Sequence, residues 1–186
     1  MVAPPVRGRG RRPGRGGTAR VVAAARWWAT KARQFGGHLV ARVRPGERAQ
    51  LRPWLTPAEL AIFDAMHVAD RRHGLDVVRR LRQAGVTERD VLAAGLLHDC
   101  GKADTGVLPR VVWSLGQGVG RWVPSTAAHL RGLAAPLDRL ARHADLSADL
   151  LAAAGCPERM VDLVRYQDAP RDPRYGALLK DADEAS

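Results

Sequence analysis

From Thr56 onward, apolar residues recur with helical spacing, and no stretch alternates with a period of two, so the pattern predicts an all-α fold without sheet. Leu55-Thr56-Pro57-Ala58-Glu59 reads as a helix start, with Thr56 as N-cap and Pro57 in the first turn, where its missing N–H costs nothing. Asp70 is expected to cap a helix that carries Leu75, Val78 and Leu81 on one face and stops at Gly85. Thr87 with Asp90 resembles a capping box ahead of VLAAGLLHDC, which Gly101 closes. The segment 103–125 holds Gly and Pro around an apolar VVWSL and is expected to be a loop with a short helix. Further helices are expected over about 133–154, 157–168 and 174–184, giving a bundle of five to seven helices.

Charge changes the picture at the N-terminus. Of the 186 residues, 1–52 hold 12 Arg and 1 Lys against the single acid Glu47, while the remainder is close to neutral. Three segments follow: a disordered Arg/Gly/Pro-rich tail over 1–20, which contains GRGRRPGRGG and has almost nothing to bury; a basic, partly helical extension over 21–52 bearing Trp27-Trp28; and a globular domain over 53–186. The basic arm suits nucleic acid or an anionic membrane as a partner, and a plain solubilising tail is the competing reading. Cys100 and Cys156 are too few for a disulfide framework. The longest early apolar run, Val21 to Ala25, is far short of the ~20 residues a spanning helix needs, so no transmembrane segment and a cytoplasmic location are expected.

The informative chemistry is Leu96-Leu97-His98-Asp99-Cys100-Gly101-Lys102, a strongly apolar helix that ends in an imidazole and a carboxylate. A buried carboxylate needs hydrogen bonds, a counter-charge or a metal. On the dipeptide alone, a helix-end cap is as good a reading as a metal site. His73 lies 25 residues upstream on the preceding helix, within reach through an antiparallel hairpin. Leu178-Leu179-Lys180-Asp181-Ala182-Asp183 is a second apolar helix that turns acidic. Two imidazoles and two carboxylates suit a divalent ion that keeps water positions, such as Mn, Fe, Co, Ni or Mg.

In these segments the chain resembles the HD superfamily of metal-dependent phosphohydrolases, whose pattern is His, then His-Asp, then a distal Asp on successive helices. The resemblance covers roughly 56–184, and its motifs here are RHGLDVV, LLHDCGK and the terminal Ala182-Asp183. It implies an HD-domain helical bundle with His73, His98, Asp99 and Asp183 as metal ligands, and Asp181 as the fallback for the distal Asp. His143, in Arg142-His143-Ala144-Asp145, matches the place where several branches put a ligand for a second metal, and Asp168 is a candidate to complete it. Those branches supply histidine near 164–168, where this chain has Val-Arg-Tyr-Gln-Asp, so one ion, with a second loosely held, is the expectation.

The implied activity is hydrolysis of a phosphomonoester or phosphodiester, with a nucleotide as the expected substrate, through a metal-activated water. Asp99 is then both ligand and catalytic residue. Lys102 is a candidate to neutralise phosphoryl charge, against its plain reading as a solvated helix-end cation; Arg72 is a candidate to bind substrate phosphate. A non-catalytic HD-type module that binds a nucleotide or partner protein is the alternative. Gly116-Gln117-Gly118-Val119-Gly120 is not a dinucleotide fingerprint, and His38, His67 and His129 read as isolated structural or surface residues.

Overall fold

A computed structural model describes residues 41–186, and every regular element among them is helical. There are ten α-helices: α1 Pro45–Ala49, α2 Pro57–Ala65, α3 Val68–Gln83, α4 Arg89–Leu97, α5 Val107–Val119, α6 Trp122–Ala127, α7 Ala134–Ala141, α8 His143–Ala153, α9 Glu158–Arg165 and α10 Gly176–Ala185. A 3₁₀ turn, Cys100–Lys102, follows α4. The expected tail over 1–20, the helix over 21–42, Trp27-Trp28 and His38 lie largely or wholly outside the described residues.

The centre of the molecule is α4. Seven of its nine residues are buried, Val91 through Leu97 without a break, and each of its leucines contributes about 1.5–3 kcal/mol on burial. α2, α3, α9 and α10 pack around it. A helix that is apolar on all sides can only sit inside.

The start of α2 is as read from sequence, with Thr56 as N-cap and Pro57 in the first turn, and the structure adds Glu59, which completes a reciprocal capping box with Thr56. Leu51 and Leu55 also belong to the core, so the packed unit already includes the end of the segment assigned above to the extension.

Four expectations are corrected. The N-cap of α3 is His67, whose Nδ1 accepts from the Ala69 N–H, whereas Asp70 is buried and forms a two-pronged ion pair with Arg110 at 2.7 and 2.8 Å. No capping box opens α4: its N-cap is Glu88, and Asp90 pairs with Arg89. The segment 103–125 is mostly helical. Pro109 sits third in α5, where no intrahelical N–H bond is lost, and Gly116 gives Pro124 room to pack α6 on α5. Finally, the expected helix over 133–154 breaks at Arg142 (φ −109°, ψ 11°), so the described chain holds ten helices where five to seven were expected.

Breaking the buried Asp70–Arg110 pair from one side leaves an uncompensated charge, which costs about 3–5 kcal/mol, whereas removing both partners costs far less. Asp70→Ala is therefore expected to lower the urea midpoint of unfolding sharply, and Asp70→Ala/Arg110→Met to recover most of the loss. Equal destabilisation in the two variants would show that the pair is not what holds α5 to α3.

Candidate metal centre

Two close backbone approaches assemble the site. A Cβ on Gly74 would lie 2.2 Å from the Leu96 carbonyl oxygen, so only glycine lets α3 cross α4 this tightly. That crossing sets His73 beside His98, with ring centroids 5.2 Å apart at 61°. A Cβ on Gly101 would lie 2.5 Å from the Ser147 nitrogen and 2.7 Å from the His143 carbonyl oxygen. The 3₁₀ turn therefore seats directly on the first turn of α8, held by a 2.8 Å bond from the Gly101 N–H to the buried Ser147 hydroxyl. Arg139 adds a bond to the Gly101 carbonyl at 3.2 Å.

Asp99 is the hub of the side chains this brings together. Its Oδ1 lies 3.5 Å from His98 Nε2 and 3.6 Å from His143 Nε2; its Oδ2 lies 4.0 Å from His73 Nε2 and 2.6 Å from Lys102 Nζ. Asp183, from the end of α10, places Oδ1 2.7 Å from His73 Nε2 and 3.3 Å from His98 Nε2. His98 and Asp99 are each 2% exposed, whereas Asp183 is 39% exposed at its side chain and Lys102 24%. The cluster is thus closed at its base and open to solvent on the Asp183 and Lys102 side.

The imidazoles are held in a particular orientation. His98 Nδ1 meets the Gly95 carbonyl at 3.0 Å, and His143 Nδ1 meets the Leu140 carbonyl at 2.8 Å. A carbonyl only accepts, so in each ring Nδ1 carries the proton and, in the neutral form, Nε2 is left as a lone pair facing Asp99. The Leu140 contact sits at the break between α7 and α8: the helix that was expected to run through is interrupted at the site.

Electrostatics follow from this crowding. Burial would depress the His98 pKa, but Asp99 and Asp183 outweigh it and raise the imidazole to about 9. Burial likewise opposes ionisation of Asp99 and Asp183, yet the basic groups that face them win: His98, then Lys102, His143 and His73, hold the Asp99 carboxyl well below its usual range, and His98 and His73 do the same for Asp183. His143 is lowered, by burial and then by Lys102, and is neutral near pH 7. Lys102 is raised despite burial, because Asp99 and Asp70 face it.

Two buried atoms in this cluster, His98 Nε2 and Asp99 Oδ1, have no well-directed hydrogen bond: they face each other at 3.5 Å, and His98 Nε2 also faces Asp183 Oδ1 at 3.3 Å. Buried polar atoms are ordinarily satisfied, and an orphan costs about 1–3 kcal/mol. One nitrogen, one oxygen and His73 together form a set whose ligand atoms all lie within 4.8 Å of one another. Ligands at about 2.1 Å from one ion are separated by about 3 Å when adjacent and about 4 Å when opposite. The His98 Nε2–Asp183 Oδ1 and His98 Nε2–Asp99 Oδ1 separations, 3.3 and 3.5 Å, fall in that window, while His73 Nε2 lies 4.0 Å from the other Asp99 oxygen and 2.7 Å from Asp183 Oδ1. His73, His98 and Asp99 therefore could hold a metal ion, and Asp183 adjoins both imidazoles.

The remaining sequence candidates separate clearly. His143 and Lys102 join the cluster, while Asp181 is exposed on α10 and does not. Asp168 is exposed, its backbone carbonyl accepts from Lys180, and no contact among the described residues brings its carboxylate to His143. Arg72 is committed to Glu47 at 2.7 Å and Asp76 at 3.0 Å, which corrects its assignment to substrate phosphate. Cys100 is buried with its thiol pushed up to about 12, so it stays protonated. His67 caps α3, and His129 is exposed.

No protein-family model, curated protein or solved structure matches the chain. What the site can do rests on its own atoms.

Sequence reasoning missed Gly74, Ser147 and the Asp70–Arg110 pair. Ser147 falls four residues after His143, on the same helix face, and that spacing was a signal. Gly74 directly follows His73 inside a helix, where glycine is costly without a packing reason. Nothing in the sequence links Asp70 to Arg110.

Because His98 must shed its proton to bind a metal, affinity is tied to pH. Its folded pKa lies above its ordinary value of about 6.5, so the protonated form stabilises the metal-free protein fully below that value, and the contribution is lost as pH rises through about 9. Manganese titrated calorimetrically at pH 7, in buffers of different ionisation enthalpy, is expected to release about one proton per ion, with affinity rising toward pH 9. Proton release of zero would mean that His98 is not a ligand.

Proposed function

We propose that the chain is a metal-dependent phosphohydrolase of the HD type, cleaving a phosphomonoester or phosphodiester, with nucleotides as the substrate class. The observation that carries this reading is the pair of orphaned buried atoms, His98 Nε2 and Asp99 Oδ1, beside His73 Nε2 and the Asp183 carboxylate. The four side chains come from three helix ends and one mid-helix position, in the order His, His-Asp, Asp that marks the resemblance described above.

A divalent ion bound there supplies a water of lowered pKa and a Lewis acid for a phosphoryl oxygen. The protein's part is to build and orient the place where that happens. His73, His98, Asp99 and Asp183 are the ligands, and the Gly95 carbonyl fixes the His98 ring by engaging Nδ1. Asp99 can offer Oδ1 while Oδ2 stays with Lys102. Lys102, partly exposed on the open side, is placed to meet negative charge that builds on a phosphoryl group. His143, neutral and 3.6 Å from Asp99, is available as a further ligand if a second ion binds.

The test is a panel of nucleotides and simple phosphoesters with Mn, Fe, Co, Ni or Mg added, comparing the native chain with Lys102→Met. The native chain is expected to release phosphate or nucleoside only with metal. Lys102→Met should keep its metal while kcat falls by roughly a hundredfold. A variant with unchanged kcat would reduce Lys102 to a structural ion-pair partner, and a metal-loaded native chain inert on the whole panel would favour a binding module.

A further inference from the structure

Five of the six large apolar side chains that are most exposed among the described residues fall in one short segment: Val107 (55%), Leu108 (61%), Val119 (52%), Trp122 (64%) and Leu130 (62%). In α5, successive residues turn by about 100°, which gathers Val107, Leu108, Val111, Leu115 and Val119 into a stripe about 120° wide. The helix's two buried residues, Pro109 and Gly116, project on a different side, toward α6 and the rest of the fold. Val111 and Leu115 in the middle of the stripe are half-buried, and Val107, Leu108 and Val119 at its ends and edge stay exposed, away from the side that α5 buries fully. At 1.5 Å per residue it is about 20 Å long, and Trp122 at the start of α6 continues it.

Charge along the same segment has one sign. Between Asp104 and Asp138 there is no acidic residue, while Arg110, Arg121 and Arg131 are present. Arg110 is consumed by Asp70. Arg121 and Arg131 are exposed and form no ion pair among the described residues. The 40 residues that precede the described chain add eight Arg and one Lys and no acid.

We propose that the α5–α6 face docks on an anionic lipid bilayer, with the aliphatic stripe and Trp122 entering the headgroup boundary and Arg121 and Arg131 on lipid phosphates. Three occupants compete for such a face, and the chemistry separates them. A second copy of the chain would bring the same unpaired arginines together. A nucleic acid would use the arginines and leave Val107, Leu108, Val119 and Leu130 without a role. An anionic bilayer takes both at once, since a helix with an apolar stripe and flanking cations lies in the interface plane and gains from each. This inference is independent of the hydrolase reading.

Flotation of the full chain with phosphatidylcholine vesicles containing one-third phosphatidylglycerol, beside pure phosphatidylcholine vesicles, tests it. The native chain is expected to float with the anionic vesicles only. Leu108→Gln/Trp122→Gln is expected to weaken that binding about tenfold, and Arg121→Gln/Arg131→Gln by about fivefold per arginine, with thermal melting unchanged because all four positions are exposed. Leu108→Ser, read alone, replaces the first pair if that variant melts early. Three results would overturn the proposal: no flotation of the native chain, flotation that the Leu108 and Trp122 changes leave intact, or a halved molar mass in lipid-free sedimentation on making those changes, which would assign the face to a dimer.

Discussion

Asp99→Ala is expected to abolish stable metal binding and all metal-dependent turnover while leaving a folded protein. Loss of a residue that merely orients a ligand commonly costs 10–100-fold in affinity, and Asp99 is the proposed ligand at the hub, so affinity should fall by more than about a hundredfold. The folded state is expected to survive for an electrostatic reason. Removing one side of a buried ion pair ordinarily costs about 3–5 kcal/mol because the partner stays charged. Here the nearest buried partner, His98, owes its raised pKa first to Asp99 once burial is overcome, so it can shed its proton near pH 7 when Asp99 is gone. Lys102 is partly exposed and can turn to water. Equilibrium dialysis with manganese and a thermal melt of the metal-free variant check the two halves separately. Retained manganese at native stoichiometry would move the metal site away from Asp99; a variant that cannot fold would show that the metal-free cluster is held by Asp99 itself.

Gly74→Ala sets two effects against each other, and their magnitudes decide the sign. Alanine is favoured over glycine within a helix by about 0.8–1.0 kcal/mol, so propensity alone predicts stabilisation of α3. The added Cβ, however, would stand 2.2 Å from a backbone oxygen of α4, which cannot rotate away as a side chain would. Overpacking of this kind costs about 1–3 kcal/mol and more when backbone must move. The expected result is a net loss of about 2 kcal/mol or more, read as a lower urea midpoint. It should be accompanied by weakened metal binding, because displacing α3 from α4 separates His73 from His98. Gly46→Ala, where nothing lies near the added atom, serves as the neutral comparison. A Gly74→Ala protein of native or higher stability would show that α3 and α4 are not in close backbone contact.

The difference between what could and could not be read from sequence lies in the range of the interactions. The all-helical class and the start of α2 are local properties, set by periodicity, by Pro57 and by the Thr56 N-cap, and they appear in the structure as read. The cap of α3 failed because Asp70, an excellent capping residue by type, is claimed by Arg110 forty residues away. The helix expected over 133–154 failed because His143 takes the Leu140 carbonyl and Gly101 demands contact with the backbone at 143–147, and neither demand is visible within the segment. For the site, residue type and order pointed to His73, His98, Asp99 and Lys102, and the family resemblance implied His143 and Asp183; the fold brings all six together. They also named Arg72, which pairs with Glu47 and Asp76, and Asp168, whose side chain stays exposed. Arg72 is instructive: it neighbours His73 in sequence, but adjacent helix positions point about 100° apart, and it turns to Glu47 and Asp76.

The charge of the N-terminal arm is plain in the sequence, as is the apolar run from Val107 to Leu115 as a candidate contact surface, whereas the side of α5 that is buried required the fold. No described helix is long and apolar enough to cross a membrane.

The central claim is that one divalent ion sits among His73, His98, Asp99 and Asp183. Crystals grown with manganese and measured at its absorption edge test this most directly. The expected result is a single strong anomalous peak within bonding distance of His73 Nε2, His98 Nε2, Asp99 Oδ1 and Asp183 Oδ1, with a weaker second peak near His143 only at high manganese. A peak elsewhere, or none in crystals of protein saturated with manganese, would contradict it.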